Sequence, residues 1–161
     1  MRSFRDTIAA SVRLLSVLPE EIPSAVERMQ TEAKDQKRAV AGLQAELARF
    51  RAAELAASAE RVGQMSVVLR AVEADANGLK ALASAVTATP GYAVVLVSTS
   101  RPALVVVARS ADLDVSAQKI IAVLTGKFGG RGGGKPELAQ AGGLDAPAED
   151  ILPAARLALL A

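Results

Sequence analysis

Apolar residues recur at helical spacing from the start of the chain. Phe4, Ile8, Val12, Leu15 and Leu18 mark one face of a predicted short helix over residues 4–18. Pro19 and Pro23 interrupt this pattern, and Ser24 is placed to cap a second helix. From Ala25 to about Arg61 there is no proline and a single glycine, Gly42. Here the apolar positions step by three and four through Val26, Met29, Ala33, Val40, Leu43, Leu47 and Phe50, with Gln36 in the remaining seam position. The spacing predicts about four heptads, a rod of roughly 55 Å. Charges of both signs, such as Glu27, Arg28, Lys37 and Arg49, fill the outer positions, as on a solvated helix.

After Gly63 the period changes. Ser66–Val72 is a short β-rich run, and Asp75 precedes a helical pattern carrying Leu79, Leu82 and Val86. Tyr92–Ser98 and Ala103–Arg109 are β-branched runs joined by a four-residue turn, which predicts a hairpin. Asp112 or Asp114 is expected to cap a helix that buries Ala117, Ile120, Ile121, Leu124 and Phe128. Glu137–Ala141 is short and sheet-compatible, Gly142-Gly143 reads as a turn, and Pro147 and Pro153 bracket the start of a last helix. The expected fold is α+β: a helical segment over 1–62, then a globular domain over 63–161 with helices covering a small sheet.

Composition narrows the chemistry. Among 161 residues there is no cysteine and no histidine. Disulfides, thiolate or imidazole metal sites and histidine-dependent triads are excluded within this chain. Aromatics amount to 2%, namely Phe4, Phe50, Phe128 and Tyr92, so the core must be aliphatic and base stacking has few platforms. Net charge is only +2, which leaves any case for nucleic acid to the distribution of cations. No apolar run is long enough to cross a bilayer or to read as a secretory signal, and a cytoplasmic location is expected.

One stretch stands apart. Residues 127–143, KFGGRGGGKPELAQAGG, hold seven glycines and three cations. Gly129, Gly134 and Lys135 fit a phosphate loop, but Pro136 occupies its hydroxyl position and the stretch comes after a helix instead of a strand. Two readings stay open on chemistry alone. Consecutive glycines can present main-chain N–H groups to an anion, with Lys119, Lys127, Arg131 and Lys135 adding charge in a region, 115–136, that has no acid. Alternatively, the glycines permit a tight turn and the cations serve solubility. Phe128 is placed by its spacing in the core beside this stretch.

GGRGGGKPELAQAGG (129–143) resembles the glycine-rich motif of the DHH-associated domain in its alanyl-tRNA synthetase form, and RLLSVLPEEIPSAVERM (13–29) resembles the segment after the editing domain in those synthetases and in long alanyl-tRNA editing proteins. The resemblance covers nearly the whole chain. It implies a module without chemistry or cofactor of its own that reaches the outer corner of tRNA, alanine tRNA being the expected partner. The implied contact set is Lys119, Lys127, Gly129, Gly130, Arg131, Gly132, Gly133, Gly134, Lys135 and Gln140. It also implies a homodimer through the long helix, for which Val40, Leu43, Leu47 and Phe50 are the seam. The chain then corresponds to the part beyond the catalytic and editing domains, as an excised domain or a free-standing relative. Phosphoesterases with the same accessory domain commonly carry a histidine in the glycine loop, where Arg131 and Lys135 stand here. Two further readings are a pure dimerisation module and the accessory domain of a phosphoesterase.

Overall fold

The computed structural model describes the backbone of residues 2–161 and the side chains of all of these except residues 2–6 and 11. The expectation for the Phe4 side chain lies outside the described residues. The chain divides into two compact units, Met1–Gly42 and Leu43–Ala161.

In the first unit, helix α1 (Arg2–Leu15) stops where Ser16 takes a φ of 52°. Leu18, expected on the helix, therefore lies beyond it. Pro19–Glu21 form a 3-10 turn in which the Leu18 N–H donates to Glu21 Oε2 at 2.9 Å. Helix α2 (Ile22–Ala57) begins at once, earlier than the sequence suggests. Pro23 sits in its first turn, where a missing N–H has no intrahelical partner to lose. Ser24 is therefore no N-cap; its hydroxyl donates to the Glu21 carbonyl at 2.9 Å.

The second unit holds the last turns of α2 and then β1 (Glu60–Val62), β2 (Met65–Val72), α3 (Ala76–Thr87), β3 (Tyr92–Ser98), β4 (Ala103–Arg109), α4 (Ala117–Phe128), β5 (Arg131–Gly134), β6 (Leu138–Leu144) and α5 (Ala148–Leu160). The six strands form one sheet in the order β1-β2-β3-β4-β6-β5, with β2 and β3 parallel and every other pair antiparallel. β1 is a correction, because residues 60–61 were expected to end the long helix. Gly63, at φ 61°, turns the chain so that β1 lies back along β2.

Both faces of the central strands are covered, which is why β3 and β4 read as unbroken apolar runs. On one face Val95, Val97, Val105 and Val107 pack against Ile121 and Leu124 of α4 and Ile151 of α5. On the other, Val94, Leu96 and Val106 pack against Leu79, Leu82 and Val86 of α3. Ala48 and Ala52 of α2 join this second cluster. Their small side chains let the end of the long helix approach closely, so the compact unit begins at Leu43, inside the helix. Glu60 and Arg156 form an ion pair at 2.6 Å, linking β1 to α5.

The capping residues are partly as expected. Asp75 Oδ1 accepts from the Gly78 N–H at 2.7 Å and starts α3. Neither Asp112 nor Asp114 caps α4; Ser116 does, accepting from the Lys119 N–H at 3.4 Å. Asp112 instead accepts from the Gly91 N–H at 3.1 Å, beside the Ser110 hydroxyl that accepts from Gly91 and Tyr92. The Ser110 hydroxyl, and then the Gly91 N–H, hold the Asp112 carboxyl below its ordinary value. The last helix starts directly after Pro147 and contains Pro153, so the second proline lies within it instead of bracketing its start.

These caps generate a test. Ser116→Ala is expected to cost about 1 kcal/mol in urea unfolding, as an N-cap does. Asp114→Ala is expected to stay within about 0.5 kcal/mol, as an exposed position away from any cap does. The reverse order would return the cap to Asp114.

Candidate nucleic-acid interface

The glycine stretch is a strand and not a loop. Helix α4 ends at Gly129, whose φ is 73°, and Gly130 is next at 85°. Residues 131–134 then pair with β6 as Arg131↔Gly142, Gly132↔Ala141, Gly133↔Gln140 and Gly134↔Ala139. The Lys135 N–H donates to the Leu138 carbonyl at 2.9 Å and closes the hairpin. Gly142-Gly143, expected as a turn, lies within β6: the register with β4 jumps between Ala103 and Leu104, and Gly143 at φ 77° is the bulged residue.

Glycine serves this hairpin chiefly by leaving out atoms. A Cβ on Gly132 would meet Ala141 and, at 2.5 Å, the Gln140 carbonyl oxygen; one on Gly134 would meet the Leu138 carbonyl at 2.5 Å. The backbones of β5 and β6 therefore run closer than side chains permit. Gly132 is not in the left-handed region, so close approach and not positive φ makes it glycine. At Gly133 a Cβ would meet nothing within 4 Å.

The position of β5 decides what the cations can do. It is an edge strand, all four residues are exposed, and it pairs only with β6. Helix α4 packs behind it, on the face shared with α5. On the opposite face α3 packs on β3 and β4, and Gln140 lies exposed on β6 beyond it. An open cavity of about 300 Å³ lies there, bounded by Ala76 at the start of α3, Leu104 and Val106 of β4, Arg131, Gly133 and Gln140. A neighbouring cavity of about 310 Å³ shares Gly133 and Gln140 and adds Lys80, Lys135 and Glu137. Together they form a groove floored by glycine backbone and edged by cations.

The expected cation set is thereby divided. Arg131, Lys135 and Gln140 meet at the groove, whereas Lys119 and Lys127 lie on α4 in the opposite layer. Lys127 Nζ sits 5.2 Å from the centroid of the Phe128 ring, and Phe128 packs against the core as its spacing predicts. Lys80 is a groove residue that the sequence pattern did not reveal: it sits beside Leu79 on α3, and only the crossover of that helix brings it near Lys135. The N-terminus of α3 borders the groove at Ala76, but its first turn is already capped by Asp75. Gly129 adjoins the C-terminal end of α4, where carbonyls and not N–H groups project, so anion binding here depends on side-chain charge and on the strand. Among the described residues no three carboxylates gather in a way that could hold a metal ion, and no helix is long and apolar enough to cross a membrane.

The DHHA1 domain matches residues 64–159. Curated relatives include the alanine–tRNA ligases of Methanoculleus marisnigri, 37% identical over 88% of this chain and 15% of the relative, and of Exiguobacterium sibiricum, 28% identical over 90% of this chain and 17% of the relative. The chain thus spans about a sixth of the length of these relatives. Among solved structures, the C-Ala domain from Aquifex aeolicus alanyl-tRNA synthetase superposes with a TM-score of 0.55 at 26% identity, covering 65% of this chain and 99% of that one. RecJ of Thermus thermophilus in complex with Mn2+ shares the fold, with a TM-score of 0.53 at 19% identity over 88% of this chain and 19% of that one.

Neighbouring glycines are expected to respond differently to substitution. Gly132→Ala should lose about 1–3 kcal/mol, the usual cost of forcing atoms into filled space. Gly133→Ala should remain within about 0.5 kcal/mol, as a surface substitution does. Equal melting temperatures for the two variants would show that β5 and β6 are not in close contact.

Proposed function

Because this chain belongs to the DHHA1 domain family, we propose that it serves as a non-catalytic tRNA-binding and dimerisation module, equivalent to the C-terminal domain of alanyl-tRNA synthetase. The observation that carries the reading is the groove between α3 and the β5–β6 hairpin, where Arg131, Lys135 and Lys80 surround a floor without side chains. A phosphate backbone can approach such a floor closely, with exposed glycine backbone beneath it and cations at its edges. No aromatic side chain lines the groove to stack a base, so recognition is by the shape and charge of the tRNA outer corner. Alanine tRNA is the proposed partner, and the cytoplasm the proposed location. Lys119 and Lys127, on the other layer, reach only nucleic acid that wraps around the sheet edge.

Helix α2 supports the second half of the proposal. Its alanine face, at Ala48 and Ala52, is buried within the chain, while Val40, Leu43, Leu47 and Phe50 stay about half exposed or more. Leu43 is 67% exposed and Phe50 73%. An apolar stripe of this kind on a soluble helix marks an interaction surface, and a second copy of the same helix is the proposed occupant.

Two measurements test the halves separately. Arg131→Glu with Lys135→Glu should weaken tRNA binding across sequences and reduce the slope of log affinity against log salt, by about 0.9 for each phosphate no longer neutralised. Unchanged affinity would remove the groove from the interface. Leu43→Ala with Leu47→Ala should convert the dimer to a monomer in sedimentation while the sheet stays folded. A monomeric unaltered protein at high concentration would contradict the dimer.

A further inference from the structure

We propose that Arg109 is a positioning residue for the groove, one that acts through Glu137 instead of touching nucleic acid. The inference rests on the tRNA-binding reading. Arg109 ends β4 with its side chain only 14% exposed. Its Nη1 donates to the carbonyls of Ser110, at 3.1 Å, and Ala111, at 3.3 Å. Its Nε is buried without a hydrogen-bond partner. A guanidinium placed this way needs a countercharge, because an unpaired buried cation is costly. Glu137 supplies it, with Oε1 3.7 Å from Nη2. Asp112 contributes at longer range, but its carboxylate is engaged with Ser110 and the Gly91 N–H.

The same two residues are joined through their backbones. The Arg109 N–H donates to the Glu137 carbonyl at 3.0 Å, and the Ala117 N–H to the adjacent Pro136 carbonyl at 2.9 Å. The hairpin turn is therefore held from β4 on one side and α4 on the other. Glu137 is the one carboxylate among the residues lining the two groove cavities. It stands two residues from Lys135, and its side chain is 57% exposed. Left unpaired, it would repel an approaching phosphate and compete for Lys135. The Arg109 guanidinium neutralises it from the protein side, while the backbone bonds hold the turn that carries Lys135. Glu137 is largely solvated, so beyond countering the Arg109 charge the pair adds little to stability; its further effect is on the field over the groove.

The test is a double-substitution cycle: the unaltered chain, Arg109→Gln, Glu137→Gln and the two combined. Each is titrated with an alanine tRNA transcript at several salt concentrations and melted without RNA. Arg109→Gln should weaken binding about three- to fivefold, the scale of a partly exposed charge pair, with its salt slope unchanged. Glu137→Gln, which keeps Arg109 in place, should tighten binding about twofold or more by removing the only groove carboxylate. The combined variant should regain at least the affinity of the unaltered chain. A slope lowered by about one with no rescue would make Arg109 a direct phosphate contact and overturn the proposal. So would weaker binding by Glu137→Gln, a readout that holds even if Arg109→Gln fails to fold. Failure of the unaltered chain to bind tRNA would instead refute the function reading itself, and this proposal with it.

Discussion

The structure depends on how closely two backbones can run. Strand β5 meets β6 at a separation that leaves no room for a Cβ at Gly132 or Gly134, and Gly130 approaches the Gly142 carbonyl in the same way. Glycine costs conformational entropy in a strand and gives the strand no side chain to pack. β5 accordingly owes its place to pairing with β6 and to the turn at 135–138, which is tied to both β4 and α4. The outcome is a smooth sheet edge. The face that a helix would ordinarily cover stays open, and its floor is main chain.

The open edge matters because the central strands are closed. Both sides of β3 and β4 are buried, one beneath α4 and α5 and the other beneath α3 and the end of α2. On the α3 side, β6 and β5 remain uncovered at this end of the sheet. Burial therefore selects which cations act together. Arg131 and Lys135 come from the hairpin and Lys80 from the crossover helix, while Lys119 and Lys127 are carried to the opposite layer by α4. Sequence proximity groups four cations, but the sheet separates them.

How much of the fold is legible in the sequence depends on which signals are local. The strands at 66–72, 92–98 and 103–109 are legible because burial on both faces writes an unbroken apolar run. The α3 face and its cap are legible because Leu79, Leu82 and Val86 recur at helical spacing and Asp75 stands just ahead of them. The α4 cap is misplaced because Asp112, Asp114 and Ser116 all precede the helix within five residues, and spacing alone does not rank them. β1 is hidden by its length of three residues and by the helical pattern that runs up to it. β5 is hidden for a different reason: a strand of RGGG has no side-chain alternation to detect. The glycine motif itself is conspicuous, and its family resemblance leads to the right domain, but its geometry as a strand pair and the participation of Lys80, Arg109 and Glu137 are products of topology. The exposed seam of α2 is legible as a periodic stripe; the alanine face that docks the same helix onto the core is not, because alanine carries little periodic signal.

In the proposed complex, nucleic acid lies on the open sheet edge between α3 and the glycine hairpin. Amide chemical-shift mapping on isotopically labelled protein tests this directly, because it reads each backbone N–H as alanine tRNA is added. The largest changes are expected on residues 131–135, on Gln140 and around Lys80, with α4 and α5 nearly unaffected. Changes concentrated on the outer face of α4 around Lys119 and Val123, with the hairpin amides unmoved, would contradict the placement.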